Sequence, residues 1–180
     1  QNYDFGTKTP LIFLFRTVLT NLDFSNSHIE IISGIRRCGK STLMQQIQKK
    51  LGGNCVRFNF EDPRIYNFRV EDFSKLDSVI GSKTDIYFFD EIQNIDAWEV
   101  YVRQLHDRGK KVFITGSNAS LLSKELGTRL TGRYLRHELM PFNYQEYLLL
   151  KNTTDSLEQL NNYIGQGGFP EFLKSGNIEM

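Results

Sequence analysis

An α/β fold with a largely parallel sheet is predicted by two observations. Strand-like and helix-like segments alternate along the whole chain, and a glycine-bounded loop, Gly34 to Gly39, joins the first strand to the first helix. The first strand is His28-Ile29-Glu30-Ile31-Ile32, rich in β-branched residues. Leu43, Ile47 and Leu51 then recur at helical spacing until Gly52-Gly53 ends the pattern. A second strand over Cys55 to Phe60 stops before Pro63, and a short helix around Val70 to Ile80 follows. Asp85-Ile86-Tyr87-Phe88-Phe89 is nearly all apolar and ends in two acids, as a strand covered on both faces requires, so it is placed centrally.

Asp96 and Glu99 have capping-box spacing, with Ile95 and Val100 spaced as a hydrophobic staple, so a helix is expected to begin there and to end near Gly109. Val112 to Thr115 is the fourth strand, Ala119 to Leu126 a short helix, and Tyr134 to Leu139 the fifth strand. Three regions result: a helical segment over 1–27 packed on the core, an α/β core over 28–143 that carries the glycine loop, and the start of a small helical lid over 144–180. The chain opens at Gln1 and ends in a polar stretch, which suggests a piece of a longer protein.

Bulk composition excludes little but is useful. Of 180 residues 39% are hydrophobic, enough for one sizeable core, and 22 basic residues against 21 acidic ones give no global attraction for nucleic acid or anionic membrane. Ile12, Phe15, Leu19 and Leu22 share one helical face, and the apolar run around them is too short to span a bilayer, so no membrane partner is expected. One of the two cysteines, Cys38, lies inside the glycine loop, where a disulfide would distort the backbone; a reducing, cytoplasmic setting follows.

The loop itself carries the chemistry. Gly34-Ile35-Arg36-Arg37-Cys38-Gly39-Lys40-Ser41 fits the phosphate-loop (P-loop, Walker A) pattern G-x-x-x-x-G-K-S/T between a strand and a helix, with Thr42 in the helix's first turn. Such a loop turns backbone N–H groups and the positive helix end toward one phosphate chain. Lys40 is expected at the β and γ phosphates of ATP, and Ser41 at Mg²⁺. Asp90, at the end of the central strand, is the second metal acid (Walker B); Glu91 beside it can orient and deprotonate water, which favours hydrolysis over a small-molecule kinase. Asn118 follows the fourth strand and either senses the γ phosphate or caps the next helix. Arg133, or alternatively Arg129, either reaches a phosphate in a neighbouring subunit or is an ordinary surface arginine. Asn59 either holds Glu91 in an inactive pose or forms a turn.

The phrases "ISGIRRCGKSTL", "FNFEDPR", "FFDEIQNIDAWE", "ITGSNASLL", "LTGRYLRHELMPFNYQEYL" and "GGFPE" together resemble prokaryotic AAA+ type ATP-binding proteins whose ATPase domain precedes an uncharacterised C-terminal domain. The resemblance implies a P-loop NTPase three-layer α/β/α fold, with a five-stranded, mainly parallel sheet in the order 5-1-4-3-2 and Ser117 or Asn118 as sensor. It also implies Mg²⁺-dependent ATP hydrolysis. Family members often carry a sensor arginine in the lid, and no arginine follows His137 in this chain. A nucleotide-dependent switch with little turnover is the alternative. A homo-oligomer is expected, and a DNA or protein partner is possible: the stretch from Tyr101 to Met140 has eight basic residues (Arg103, Arg108, Lys110, Lys111, Lys124, Arg129, Arg133, Arg136) against three acids, although a solvated face or subunit interface is the simpler explanation.

Overall fold

A computed structural model describes residues 25–117 and 128–175. The N-terminal amphipathic segment, Asn118 and the short helix expected after it lie outside those residues. The core runs β1 (Ile29–Gly34), α1 (Lys40–Leu51), β2 (Cys55–Asn59), α2 (Asp72–Ile80), β3 (Ile86–Asp90), α3 (Trp98–Asp107), β4 (Lys111–Ser117) and β5 (Tyr134–Leu139). The strands form one sheet in the order β2-β3-β4-β1-β5, and every pairing is parallel. This is the expected order, 5-1-4-3-2, counted from the other edge.

Strand side chains alternate between faces, and here both faces are covered. Tyr87 and Phe89 of β3, with Val112 and Ile114 of β4, join Phe73 of α2 and Tyr101, Val102 and Leu105 of α3 in one buried cluster. Phe88 and Phe113 point the other way and stack at 4.9 Å between ring centroids, joining Leu43, Met44 and Ile47 of α1. Each fully buried side chain of this size stabilises by about 1.5–3 kcal/mol. This packing holds the loops at the strand ends, because the helices themselves are too short to be stable in isolation.

The capping box expected at the start of α3 does not form. Ala97 is in the left-handed region (φ 56°) at the helix start with no side-chain cap, Val100 is exposed, and the Glu99 carboxylate is drawn away to Arg129 at 2.5 Å. A complete capping box occurs instead at α4 (Tyr144–Lys151), where Asn143 Oδ1 accepts from Glu146 N at 2.9 Å and Asn143 N donates to Glu146 Oε2 at 3.0 Å. With α5 (Leu157–Gln166) and α6 (Pro170–Ser175), α4 completes the described chain, and Phe142, Tyr147, Leu148, Leu150 and Leu173 form a separate small core there.

At the end of the sheet away from the glycine loop, Glu30 of β1 is 1% exposed. It accepts from Lys111 Nζ at 2.8 Å and lies 2.6 Å from His137 Nε2. Burial pushes this carboxyl up, but the bonds from His137 and Lys111 outweigh it, so its pKa falls below the ordinary 4.5. A depressed carboxyl contributes stability above its unfolded pKa, and that contribution is lost as pH falls through the folded value. Glu30→Gln is therefore expected to cost about 2 kcal/mol at pH 7 and less at a pH of about 3, which lies below the ordinary carboxyl value. Thermal melts of both proteins across that range check it, and an equal difference at both pH values would refute it.

Candidate functional site

The glycine loop occupies the carboxyl end of β1, between β4 and β5. Gly34 pairs with Ser117 on one side and Leu139 on the other, and a Cβ on Gly34 would stand 2.4 Å from the Leu139 carbonyl oxygen and 2.8 Å from Cys38 Sγ. Only glycine fits. Cys38 is buried under the loop, Ile35, Arg36 and Arg37 are exposed on it, and Gly39 turns into α1 with φ 98°. The first helical bond runs from Leu43 N to Gly39 O, so helix geometry leaves the N–H groups of Lys40, Ser41 and Thr42 without a carbonyl one turn back. These donors and the helix dipole favour an anion at this point.

Lys40 is 5% exposed, and its ammonium donates to the Gly34 and Ile35 carbonyls at 3.1 and 3.2 Å. Glu91 Oε1 lies 3.6 Å from the same nitrogen. Asp90 is 1% exposed at the end of β3, salt-bridged to Arg57 Nη2 at 2.9 Å and hydrogen-bonded by the Thr115 hydroxyl. Glu91 adopts φ 53°, ψ 43°, a region that disfavours side chains, and it caps nothing with its carboxylate. Non-glycine residues held there cost energy and gather at functional sites.

A cleft of 560 Å³ brings these parts together: Arg36, Arg37, Gly39, Lys40, Ser41 and Thr42 from the loop and α1, Glu61, and Glu91 with Gln93 after β3. Its remaining wall is Pro170, Glu171 and Lys174 of α6. A Cβ on Gly39 would sit 3.7 Å from Pro170 Cγ, and Glu171 pairs with Arg37 at 3.4 Å. Helix α6 therefore supplies a lysine, Lys174, to the cleft, which a search for arginine alone passes over. Thr115 was also missed, although a lone hydroxyl directly after the apolar run Val112 to Ile114 was the available signal.

Other expected residues fall elsewhere. Asn59 forms a turn, its Oδ1 accepting from Glu61 N at 3.0 Å, and the structure gives it no contact with Glu91. Arg133 precedes β5, whose far residue, Leu139, is the one beside Gly34. About 20 Å of extended chain thus separates its backbone from the glycine loop. Its side chain bonds Thr131 and lies 3.6 Å from Asp107. In the basic stretch, Arg108, Lys110, Lys111, Arg129 and Arg133 all pair with carboxylates of this same chain.

A parallel five-stranded sheet with a phosphate-type loop after β1 and acids after β3 defines an α/β protein of the P-loop ATPase class. The chain belongs to the AAA domain family, whose model matches residues 26–148. It is 41% identical over 157 residues to an uncharacterised protein of Methanocaldococcus jannaschii, covering 79% of this chain and 36% of that one. It is also 37% identical over 161 residues to an uncharacterised protein of Haemophilus influenzae, covering 81% of this chain and 40% of that one. The chain thus spans well under half the length of these curated relatives. Among solved structures it resembles AMPPCP-bound DnaA from Aquifex aeolicus, with a TM-score of 0.57 at 16% identity over 83% of this chain and 53% of that one; the likeness is one of fold.

Proposed function

We propose that this domain binds ATP with Mg²⁺ and hydrolyses it, as the nucleotide-binding domain of an AAA+ type ATPase that couples nucleotide state to the rest of a longer protein or to a macromolecular partner. One observation carries the reading: the Lys40 ammonium and the Glu91 carboxylate meet at 3.6 Å in the cleft that the glycine loop lines. A cation for the phosphates and a base for water are both needed there.

The donors present suit Mg²⁺. Ser41 lines the cleft, and Asp90 offers a buried carboxylate, the hard oxygen ligands this ion takes. When bound, Mg²⁺ neutralises charge on the β and γ phosphate oxygens. Lys40 holds those phosphates, the helix N–H groups cradle them, Glu91 takes the proton of the attacking water, and Asn118 is the sensor candidate. Both cysteines are free thiols, which supports a reducing, cytoplasmic setting. Among the described residues no helix is long and apolar enough to cross a membrane.

A homo-oligomer in which Arg133 serves a neighbouring nucleotide is part of this reading, supported by its position at the edge strand β5. The internal pairing of the basic stretch favours a protein partner over DNA. A nucleotide-dependent switch with little turnover is the second reading, favoured by the engagement of both acids, Asp90 with Arg57 and Glu91 with Lys40.

Lys40→Ala is expected to weaken MgATP binding by about 100-fold or more, because hydrogen bonds to a charged group are worth about 1.5–3 kcal/mol each and the ammonium would serve two phosphates. Calorimetric titration of both proteins with MgATP tests this. Parental affinity in the variant would end the P-loop reading.

A further inference from the structure

After Glu91 the chain makes a short 3-10 turn over Ile92–Asn94, and this turn folds Gln93 back against its neighbour. Gln93 Nε2 donates to Glu91 Oε2 at 2.6 Å, while Glu91 Oε1 faces Lys40. The Glu91 backbone is fixed as well, its N–H donating to Thr115 Oγ1 at 3.1 Å. The other end of the same amide, Gln93 Oε1, is buried with no hydrogen-bond partner among the described residues. Burying an unpaired amide oxygen costs about 1–3 kcal/mol, and packing does not explain it, since the adjacent Ile92 already fills the core at 0% exposure.

We propose that Gln93 is a positioning residue that holds the Glu91 carboxylate in its working orientation. The inference rests on the reading of Glu91 as the base. The two oxygens of Glu91 have different anchors. A triphosphate draws the Lys40 ammonium to itself and so releases Oε1, whereas Oε2 stays tied to the amide. Gln93 is then the side chain that fixes the carboxylate plane, leaving Oε1 to accept the proton of the attacking water. Asn59, the other amide considered for contact with this acid, is engaged in its own turn.

Gln93→Met, which keeps length and shape but removes the donor, separates positioning from packing. In single-turnover ATP hydrolysis by the full-length protein, the rate constant is expected to fall about 10- to 100-fold, as for a misplaced catalytic group, with ATP affinity changed less than about twofold. In a Glu91→Gln background, where no carboxylate remains to be placed, the same substitution should change the residual rate by less than about twofold; groups acting through one another are non-additive in this way. Gln93→Ala is measured alongside and read by the same criteria should the Met variant fold poorly. A parental rate in the single variants, or an equal loss in both backgrounds, overturns the positioning role while leaving Glu91 as the base. Undiminished turnover in Glu91→Gln alone overturns the reading of Glu91, and the inference with it.

Discussion

Glu91→Gln is expected to leave MgATP binding at parental strength and to lower turnover by about two to four orders of magnitude, the usual contribution of a positioned proton acceptor. The amide preserves size and can still meet Gln93 and Thr115 through its side-chain oxygen and backbone N–H, so the fold has no reason to change. What is lost is the negative charge and the capacity to take a proton. The left-handed backbone at this residue argues the same way, since a carboxylate needed only for turn formation would be better placed on an unstrained position. Calorimetric affinity and steady-state hydrolysis, measured on one preparation, must separate. Hydrolysis at the parental rate would reduce Glu91 to a structural acid and move the water-activating role elsewhere.

The second large effect is expected at Arg133 and only between subunits. Its place before β5, at the strand ends remote from the glycine loop, puts the nucleotide of its own chain out of reach. A guanidinium supplied to a neighbour's phosphates is worth about three to five orders of magnitude in rate. Arg129 is the other candidate, but it is held by Glu99 at 2.5 Å, whereas the Arg133 to Asp107 pair is longer at 3.6 Å and releases at lower cost. Arg133→Ala should therefore bind ATP and hydrolyse it very slowly in the full-length protein. Mixing it with Lys40→Ala, which keeps Arg133 but is expected to bind nucleotide about 100-fold or more weakly, should restore part of the activity. If mixed oligomers are shown to form and stay as inactive as either variant alone, Arg133 is an interface or fold residue.

The sheet and the glycine loop were legible because both rest on local signals. The nearly all-apolar run of β3 marks a strand covered on both faces, with Phe88 and Phe89 buried on opposite sides, and a G-x-x-x-x-G-K-S run between strand and helix leaves few alternatives. Strand order was different in kind: alternation requires parallel neighbours but does not rank them, and the order came from resemblance. What escaped were contacts set by long-range register. Thr115 meets Asp90 only because β3 and β4 lie side by side, and α6 meets the loop only after the chain has closed around the sheet. The failed capping box at α3 teaches the same lesson, since Glu99 satisfied the local pattern but found a stronger partner thirty residues away in Arg129.

A sheet whose pairings are all parallel has a direction, and that direction restricts how copies of the chain can be joined. Every strand points its carboxyl end toward the nucleotide cleft and its amino end toward Arg133. If one copy gives from the second end what another receives at the first, the contact is head-to-tail, and a two-fold pair built on matching surfaces cannot satisfy it. Each added copy leaves one donor and one acceptor unmet until the circuit shuts, so such an assembly is either a closed ring or an open spiral with two unlike ends.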